Sequence, residues 1–149
     1  MSDLTSLIIK ELTTERELTD AFPIMKQLRP QHDLQAYLEL VIEAQEKENY
    51  QMKALYDQGD IVAVIGFMPM TTLYYGRFIW VCDFVTASTK RSKGYGDKLL
   101  TYVHELAKEH GYACVALSSG LQRADAHRFY EEKMGYDRAS YVFKKELQE

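Results

Sequence analysis

Residues 90–98 read Lys-Arg-Ser-Lys-Gly-Tyr-Gly-Asp-Lys, a basic stretch with two glycines between two apolar segments. The preceding segment ends near Val85, and the following one has helical spacing from about Lys98. This order of a strand, a basic turn and a helix start is suited to binding a diphosphate, because the N–H groups and the dipole of a helix N-terminus stabilise an anion. Gly94 and Gly96 lack a Cβ, so the backbone can approach such a ligand closely.

The charge of this stretch differs from that of the rest of the chain. Residues 90–98 hold four of the 18 Lys and Arg and one of the 22 Asp and Glu, so they carry +3 and the remainder carries −7. Arg91 can form parallel hydrogen bonds to two phosphate oxygens, while Lys93 and Lys98 add point charges. A solvated turn before a surface helix is the alternative interpretation, and it stays open.

Two other glycine-loop classes fail on spacing. The phosphate loop of nucleotide hydrolases requires G-x-x-x-x-G-K-[ST], which these residues do not supply. The dinucleotide fingerprint requires a third glycine three positions after Gly96, where Leu99 stands.

Length and composition indicate one globular domain over residues 1–149, with 46% hydrophobic and 27% charged residues. A net charge of −4 argues against a nucleic-acid partner. The chain has no apolar run near the ~20 residues that span a bilayer, so we expect no membrane partner. Residues 1–5 lack a signal-peptide pattern, and Cys82 and Cys114 lie in apolar runs as reduced thiols would, so we expect a cytoplasmic protein. A catalytic cysteine remains an alternative.

Periodicity predicts an α/β (α+β) fold. A strand over 7–12 precedes a helix that Thr14 or Thr13 can cap. Glu17 would complete a capping box with Thr14, and we expect a kink or a shifted start at Pro23. A second helix begins near Asp33. The later predicted elements are strands at 50–56, 61–68, 77–85 and 112–117, helices from 98 and at 124–134, and a last strand pair or hairpin over 136–147. We therefore expect a mixed, mostly antiparallel twisted sheet of about six to seven strands with about four helices on its two faces.

Two separated motifs carry a resemblance to a known family. Residues 91–96 match the R-x-x-G-x-G pattern of the GNAT superfamily of N-acetyltransferases. Residues 126–131, followed by Gly135 and Tyr136, are similar to the second motif of that superfamily, often A-x-x-F-Y-x-x-x-G-F. The predicted element order resembles the family along nearly the whole chain. Residues 117–130 further resemble a bacterial branch that includes aminoalkylphosphonate acetyltransferases.

The resemblance implies acetyl-CoA, or a related acyl-CoA, as the acyl donor. Its pyrophosphate would lie on the N–H groups of Ser92, Lys93, Gly94, Tyr95 and Gly96. Its pantetheine arm would follow the strand end formed by Phe84, Val85 and Thr86, and the Val85 amide would polarise the thioester carbonyl.

The resemblance also assigns catalytic roles. Tyr130 matches a tyrosine that protonates the departing CoA thiolate. Asp83 matches a strand position whose acid removes the amine proton; base and substrate anchor are both open, as is a structural charge satisfied by Arg77 or Lys90. Arg123 stands where an asparagine often contacts pantetheine, and it could reach the 3′-phosphate of CoA or be solvated.

The hypothesis is an N-acetyltransferase in which the primary amine of a small molecule attacks acetyl-CoA directly in a ternary complex. A non-catalytic acyl-CoA-binding module and a nucleotide-binding protein are the alternatives, and a homodimer is left open. We expect no metal, because the four histidines and two cysteines form no ligand spacing. The candidate acceptor-site residues are Arg29, His32, Tyr37, Trp80, Tyr136 and Tyr141.

Overall fold

The computed structural model describes residues 6–90 and 93–148. Two residues of the predicted pyrophosphate-binding loop, Arg91 and Ser92, lie outside these ranges. The chain divides into two compact units, residues 1–117 and residues 118–149. In the described ranges, no helix is long and apolar enough to cross a membrane.

The first unit is built on a five-stranded sheet in the order β1-β2-β3-β4-β5. All neighbouring strands are antiparallel except β4 and β5, which are parallel, so the predicted mixed, mostly antiparallel sheet is confirmed. The predicted number of six to seven strands is wrong for the described residues. The elements are β1 (Leu7–Glu11), α1 (Glu15–Leu28), α2 (Leu34–Lys47), β2 (Gln51–Asp57), β3 (Asp60–Thr72), β4 (Gly76–Thr86), α3 (Tyr95–Glu109) and β5 (Val115–Leu117).

Helix α1 begins with the predicted capping box. The Glu17 N–H donates to the Thr14 hydroxyl oxygen at 3.1 Å, and the Glu17 carboxylate accepts from the Thr14 N–H at 3.1 Å. Pro23 lies inside α1 without ending it. Because the apolar face around Leu18 and Met25 is buried in the core, its packing outweighs the roughly 3 kcal/mol propensity cost of an internal proline.

The helices cover both faces of the sheet. Side chains of α1 and α2 share a core cluster with Met52 of β2, Val64 of β3 and Val85 of β4. Successive strand residues point to opposite faces, and Lys53, next to Met52, places its ammonium 5.4 Å from the ring centroid of Tyr102 on α3. Helix α3 therefore packs on the face opposite α1 and α2.

Strands β3 and β4 form a long hairpin with one bulge. Gly66 pairs with Asp83 while Phe67 pairs with Val81, so Cys82 is an extra residue on β4. The sequence predicted that this strand ends at Met68, before Pro69, but β3 continues to Thr72. Since the ladder between β2 and β3 ends at Phe67, the missing N–H of Pro69 interrupts no bond to β2.

The second unit contains α4 (Ala124–Arg128), which continues as a π-helical turn at Phe129–Lys133. Gly135 has φ +76° and reverses the chain, and the Tyr136 N–H donates to the Tyr130 carbonyl at 2.9 Å. The predicted strand pair over 136–147 is wrong, because residues 136–148 form no strand. The segment has no two-residue glycine turn, and an isolated hairpin is marginally stable in water.

Candidate active site

The basic loop leads into the N-terminus of α3, which begins at Tyr95 rather than near Lys98 as expected. Gly94 is the N-cap with φ +80°, and a Cβ on it would meet nothing within 4 Å. The conformation rather than space therefore favours glycine here. Gly94 has no side chain that could cap the first turn, so the site presents backbone donors, with the exposed Lys93 and Lys98 beside them, to an external anion.

Tyr95 anchors this helix start to the sheet. Its hydroxyl donates to the carboxylate of Asp57 at the end of β2, and this hydrogen bond raises the pKa of Tyr95. The side chain of Tyr95 is thus directed at the sheet. Its contribution to the predicted pyrophosphate site comes from the backbone.

The segment between β4 and the basic loop is also held in place. The Ser88 N–H donates to the side-chain oxygen of Gln27 on α1 at 2.8 Å, and a short 3₁₀ turn follows at Ser88–Lys90. Helix α1 therefore fixes the direction in which the chain leaves β4.

The hydrogen-bonding direction of β4 indicates which of its amides face outward. The Ala87 N–H donates to the Val62 carbonyl at 2.9 Å. Antiparallel pairs alternate between bonded and non-bonded, so the pair Val64–Val85 is bonded and the Val85 amide points to β3. The amides of Phe84 and Thr86 point to the β5 side.

Strand β5 accompanies β4 over only part of its length. Their ladder joins Ile79–Val81 to Val115–Leu117, and β5 ends there while β4 continues to Thr86. An extended chain such as a pantetheine arm fits beside a strand edge of this kind, because strand edges bind extended ligands through main-chain hydrogen bonds. The residues present are therefore compatible with acetyl-CoA.

Asp83, at the bulge of β4, is held on both carboxylate oxygens. The Arg29 Nε donates to Oδ1 at 3.0 Å, and the Tyr50 hydroxyl donates to Oδ2 at 2.8 Å. Arg29 Nη2 also donates to the Cys82 carbonyl at 2.9 Å. The partner of Asp83 is thus Arg29, not Arg77 or Lys90, because the C-terminal end of α1 reaches this part of β4.

Gly66 makes room for this cluster. A Cβ on Gly66 would lie 1.7 Å from the Tyr50 hydroxyl, so only glycine lets that hydroxyl cross β3 to Asp83. Burial raises the pKa of Tyr50 well above its usual value, and the charge of Asp83 raises it further. Tyr50 is therefore a proton donor to Asp83 throughout the physiological range. Sequence analysis missed Gly66 and Tyr50, although an isolated glycine in an apolar strand signals a close approach.

Burial also decides the protonation state of Cys82. It raises the pKa of this thiol to about 12, and the charge of Asp83 acts in the same direction. The thiol is thus protonated near neutral pH and supplies little nucleophilic thiolate. Cys114, which is half-buried, is likewise a free cysteine.

Tyr130 and Arg123 lie together in the second unit. Tyr130 is buried, and its ring centroid lies 5.4 Å from that of Phe129 and 5.7 Å from that of Tyr136. Burial raises the pKa of Tyr130, while the positive charge of Arg123 partly opposes the increase. His127 contacts the Gly120 carbonyl at 2.8 Å through Nε2. Tyr130 therefore remains a protonated phenol at neutral pH.

Arg29 and Tyr37, two of the six candidate acceptor residues, make side-chain hydrogen bonds within the first unit. Arg29 belongs to the Asp83 cluster. Tyr37 is buried and donates to the Leu18 carbonyl at 2.7 Å, which joins α2 to α1. Over the described ranges, no group of three or more His, Cys, Asp or Glu side chains could hold a metal ion.

Comparison with known proteins identifies the family. Residues 12–136 match the acetyltransferase (GNAT) family. An uncharacterized N-acetyltransferase of Bacillus subtilis strain 168, YhdJ, is 43% identical over 137 residues, which covers 92% of this chain and 96% of that protein. The aminoalkylphosphonate N-acetyltransferase of Salmonella typhimurium strain LT2 is 26% identical over 140 residues, or 93% of this chain and 90% of that protein.

Solved structures share the fold. A protein of Bacillus halodurans C-125 described as a transcriptional regulator has a TM-score of 0.82 and 24% identity, covering 95% of this chain and 99% of its own. The aminoglycoside N-acetyltransferase AAC(6')-Iy, solved with CoA, has a TM-score of 0.79 and 14% identity, covering 95% of each chain. The chain belongs to the GNAT acetyltransferase family, which confirms the sequence-based prediction of an acetyltransferase.

Proposed function

We propose that this protein transfers the acetyl group of acetyl-CoA to the primary amine of a small molecule by direct attack in a ternary complex. The observation that carries the proposal is the order of groups along β4 and from there to the start of α3. Asp83 lies at the bulge of β4, the outward amides of Phe84 and Thr86 follow it, and the uncapped N-terminus of α3 follows them. An acid, a strand edge and the helix N-terminus to which we assign the pyrophosphate thus follow one another along the first unit.

The first unit would hold the donor. The backbone of residues 92–96 would bind the pyrophosphate, with Arg91 and Lys93 supplying charge. The pantetheine arm would lie along 84–86. As oxyanion donor we favour the Phe84 amide over the Val85 amide named from the sequence, because the ladder directs Val85 toward β3.

Two side chains would handle the protons. Asp83 would hold the acceptor amine and assist removal of its proton, since an ammonium cannot attack the thioester. The amine nitrogen then forms the new bond to the acetyl carbon as the bond to sulfur breaks. Tyr130 would give its proton to the departing thiolate and recover one from solvent, and Arg123 would contact the CoA chain or its 3′-phosphate.

The family match runs from residue 12 to residue 136 and so includes parts of both compact units. This supports our proposal that residues 1–149 form a single acetyltransferase domain.

The test is release of free CoA thiol from acetyl-CoA in the presence of a panel of primary amines, with mass spectrometry of the acetylated product. We expect amine-dependent release in the wild type and a loss of about 10²-fold or more in kcat/KM for Asp83→Asn. Arg77→Gln, an exposed change on the same strand, is the matched control. Tight acetyl-CoA binding without turnover of any amine, and with the same affinity for acetyl-CoA in Asp83→Asn, would favour the acyl-CoA-binding module instead.

A further inference from the structure

The Arg29–Asp83 pair keeps unused hydrogen-bonding capacity at a position open to solvent. The two side chains are 40% and 21% exposed. Arg29 uses Nε for Asp83 and Nη2 for the Cys82 carbonyl, so among the described residues most of the five N–H groups of the guanidinium remain available to a ligand. Each Asp83 oxygen accepts one hydrogen bond from the described residues and can accept another.

The pair is also held more rigidly than an ordinary surface ion pair. Exposed ion pairs are usually mobile and contribute little to stability. Here Tyr50 fixes the second oxygen of Asp83, and the Cys82 carbonyl fixes the guanidinium of Arg29. Because Gly66 admits the Tyr50 hydroxyl, the arrangement exists before any ligand binds, which lowers the entropic cost of binding.

The charges of the pair discriminate between classes of amine. A simple ammonium ion that approaches Asp83 is attracted by the carboxylate but repelled by the adjacent guanidinium. A simple anion that approaches Arg29 is attracted by the guanidinium but repelled by the adjacent carboxylate. A molecule with both groups can alternate its charges with those of the pair, ammonium against Asp83 and anion against Arg29, so that both contacts are favourable.

We propose that the Arg29–Asp83 pair makes the acceptor a zwitterion, a primary amine that also carries a carboxylate or phosphonate. This inference rests on the proposed acetyl transfer, because it places the acceptor ammonium at Asp83. Arg29 is then the specificity-determining residue. Tyr50 is a positioning residue that acts through Asp83.

The experiment compares two amines that differ in their anionic group, 2-aminoethylphosphonate and propylamine, with acetyl-CoA as donor. In the wild type we expect kcat/KM to be at least about tenfold higher for the phosphonate, the effect of one charge-assisted contact. Arg29→Gln should lower kcat/KM for the phosphonate by about tenfold, mainly through KM. The same variant should lower kcat/KM for propylamine clearly less, because propylamine has no anionic group to contact the guanidinium.

Two further variants separate specificity from a general loss of structure. Arg29→Lys keeps the charge without the planar fork and should recover part of the preference. Arg77→Gln should change neither amine. Equal use of the two amines by the wild type, or an equal loss for both in Arg29→Gln, would overturn the inference.

The inference can also be tested if neither amine is acetylated, a result that counts against the proposed function with these acceptors. Calorimetric titration of 2-aminoethylphosphonate into the protein saturated with CoA then measures acceptor binding directly. Binding by the wild type that Arg29→Gln weakens about tenfold would uphold the zwitterion site. Absence of binding, or equal binding by the variant, would contradict it.

Discussion

At the scale of single residues, burial assigns the protonation states around the proposed chemistry. It raises the pKa of Tyr50, Cys82 and Tyr130, so these three groups carry protons at neutral pH. Asp83 is the carboxylate among the described residues of this cluster, and each of its oxygens accepts a hydrogen bond. The first unit thus supplies the negative charge, and Tyr130 of the second unit is a phenol that can give up a proton.

Tyr130→Phe should lower kcat by about 10²-fold, the contribution of a general acid, while the Kd for CoA stays nearly unchanged. The phenol is active when protonated and its pKa is raised, so its contribution should persist through neutral pH. It should be lost only as the pH rises through the raised value, above 10. Steady-state kinetics across pH and calorimetry of CoA binding measure both effects, and equal turnover by the variant would remove Tyr130 from the mechanism.

Sequence patterns identified Asp83 as a residue that needs a partner but not which residue is the partner. Arg29 precedes it by 54 positions, and helical or strand periodicity carries no information on such pairings. The direction of the Val85 amide depends likewise on the pairing of β4 with β3, which the hydrogen bond from Ala87 to Val62 fixes and which no local pattern shows.

At the scale of elements, local signals were the most informative. The capping box at Thr14 and the start of a second helix near Asp33 were predicted from side chains adjacent in sequence, and the structure has both, with Asp33 as the N-cap of α2. The extent of β3 beyond Pro69 depends on where the neighbouring strand ends, which no local pattern shows. Likewise, the apolar residues 141–143 have high strand propensity, but a strand forms only where a partner pairs with it.

Thr14→Ala should destabilise the protein by about 1 kcal/mol, because the N–H of Glu17 loses its acceptor. For a chain of this length the melting temperature should fall by about 3 °C. Arg16→Ala, an exposed change in the same helix turn, is the control and should have little effect. A loss no larger than that of the control would show that the cap does not stabilise α1.

The same cap predicts a pH dependence. The N–H groups of Thr13 and Thr14 donate to the Glu17 carboxylate and lower its pKa below 4.5. A depressed folded-state pKa stabilises the fold above the unfolded value, and the contribution is lost as the pH falls through the depressed value. Glu17→Gln should therefore lower the melting temperature at pH 7 more than at pH 3, and an equal decrease at both would contradict this.

Gly66→Ala should cost about 2 kcal/mol or more, since its Cβ would overlap the Tyr50 hydroxyl. In a Tyr50→Ala background the added Cβ meets no phenol, so the cost should fall below about 1 kcal/mol. Denaturant unfolding of the four proteins in this double-mutant cycle measures the coupling. Additive costs would show that Gly66 is not required by Tyr50.

At the scale of the whole molecule, charge and family point to the same ligand. The chain is acidic overall with a net charge of −4, whereas residues 90–98, which lead into α3, carry +3. The family match spans most of the chain, so the acetyltransferase class rests on more than the two short motifs. The acceptor is the part that composition and motifs could not supply, because it depends on side chains that only the fold brings together.

The most direct test of the central claim, binding of acetyl-CoA at the α3 N-terminus, is thermal unfolding with acetyl-CoA, free CoA or ATP. At a ligand concentration 100-fold above Kd, linkage adds about 2.7 kcal/mol to the free energy of unfolding. For this chain length we predict that acetyl-CoA and CoA raise the melting temperature by about 5–10 °C, that ATP does not, and that Lys93→Glu reduces the shift. No shift with either CoA species at saturating concentration, or an equal shift with ATP, would contradict the account.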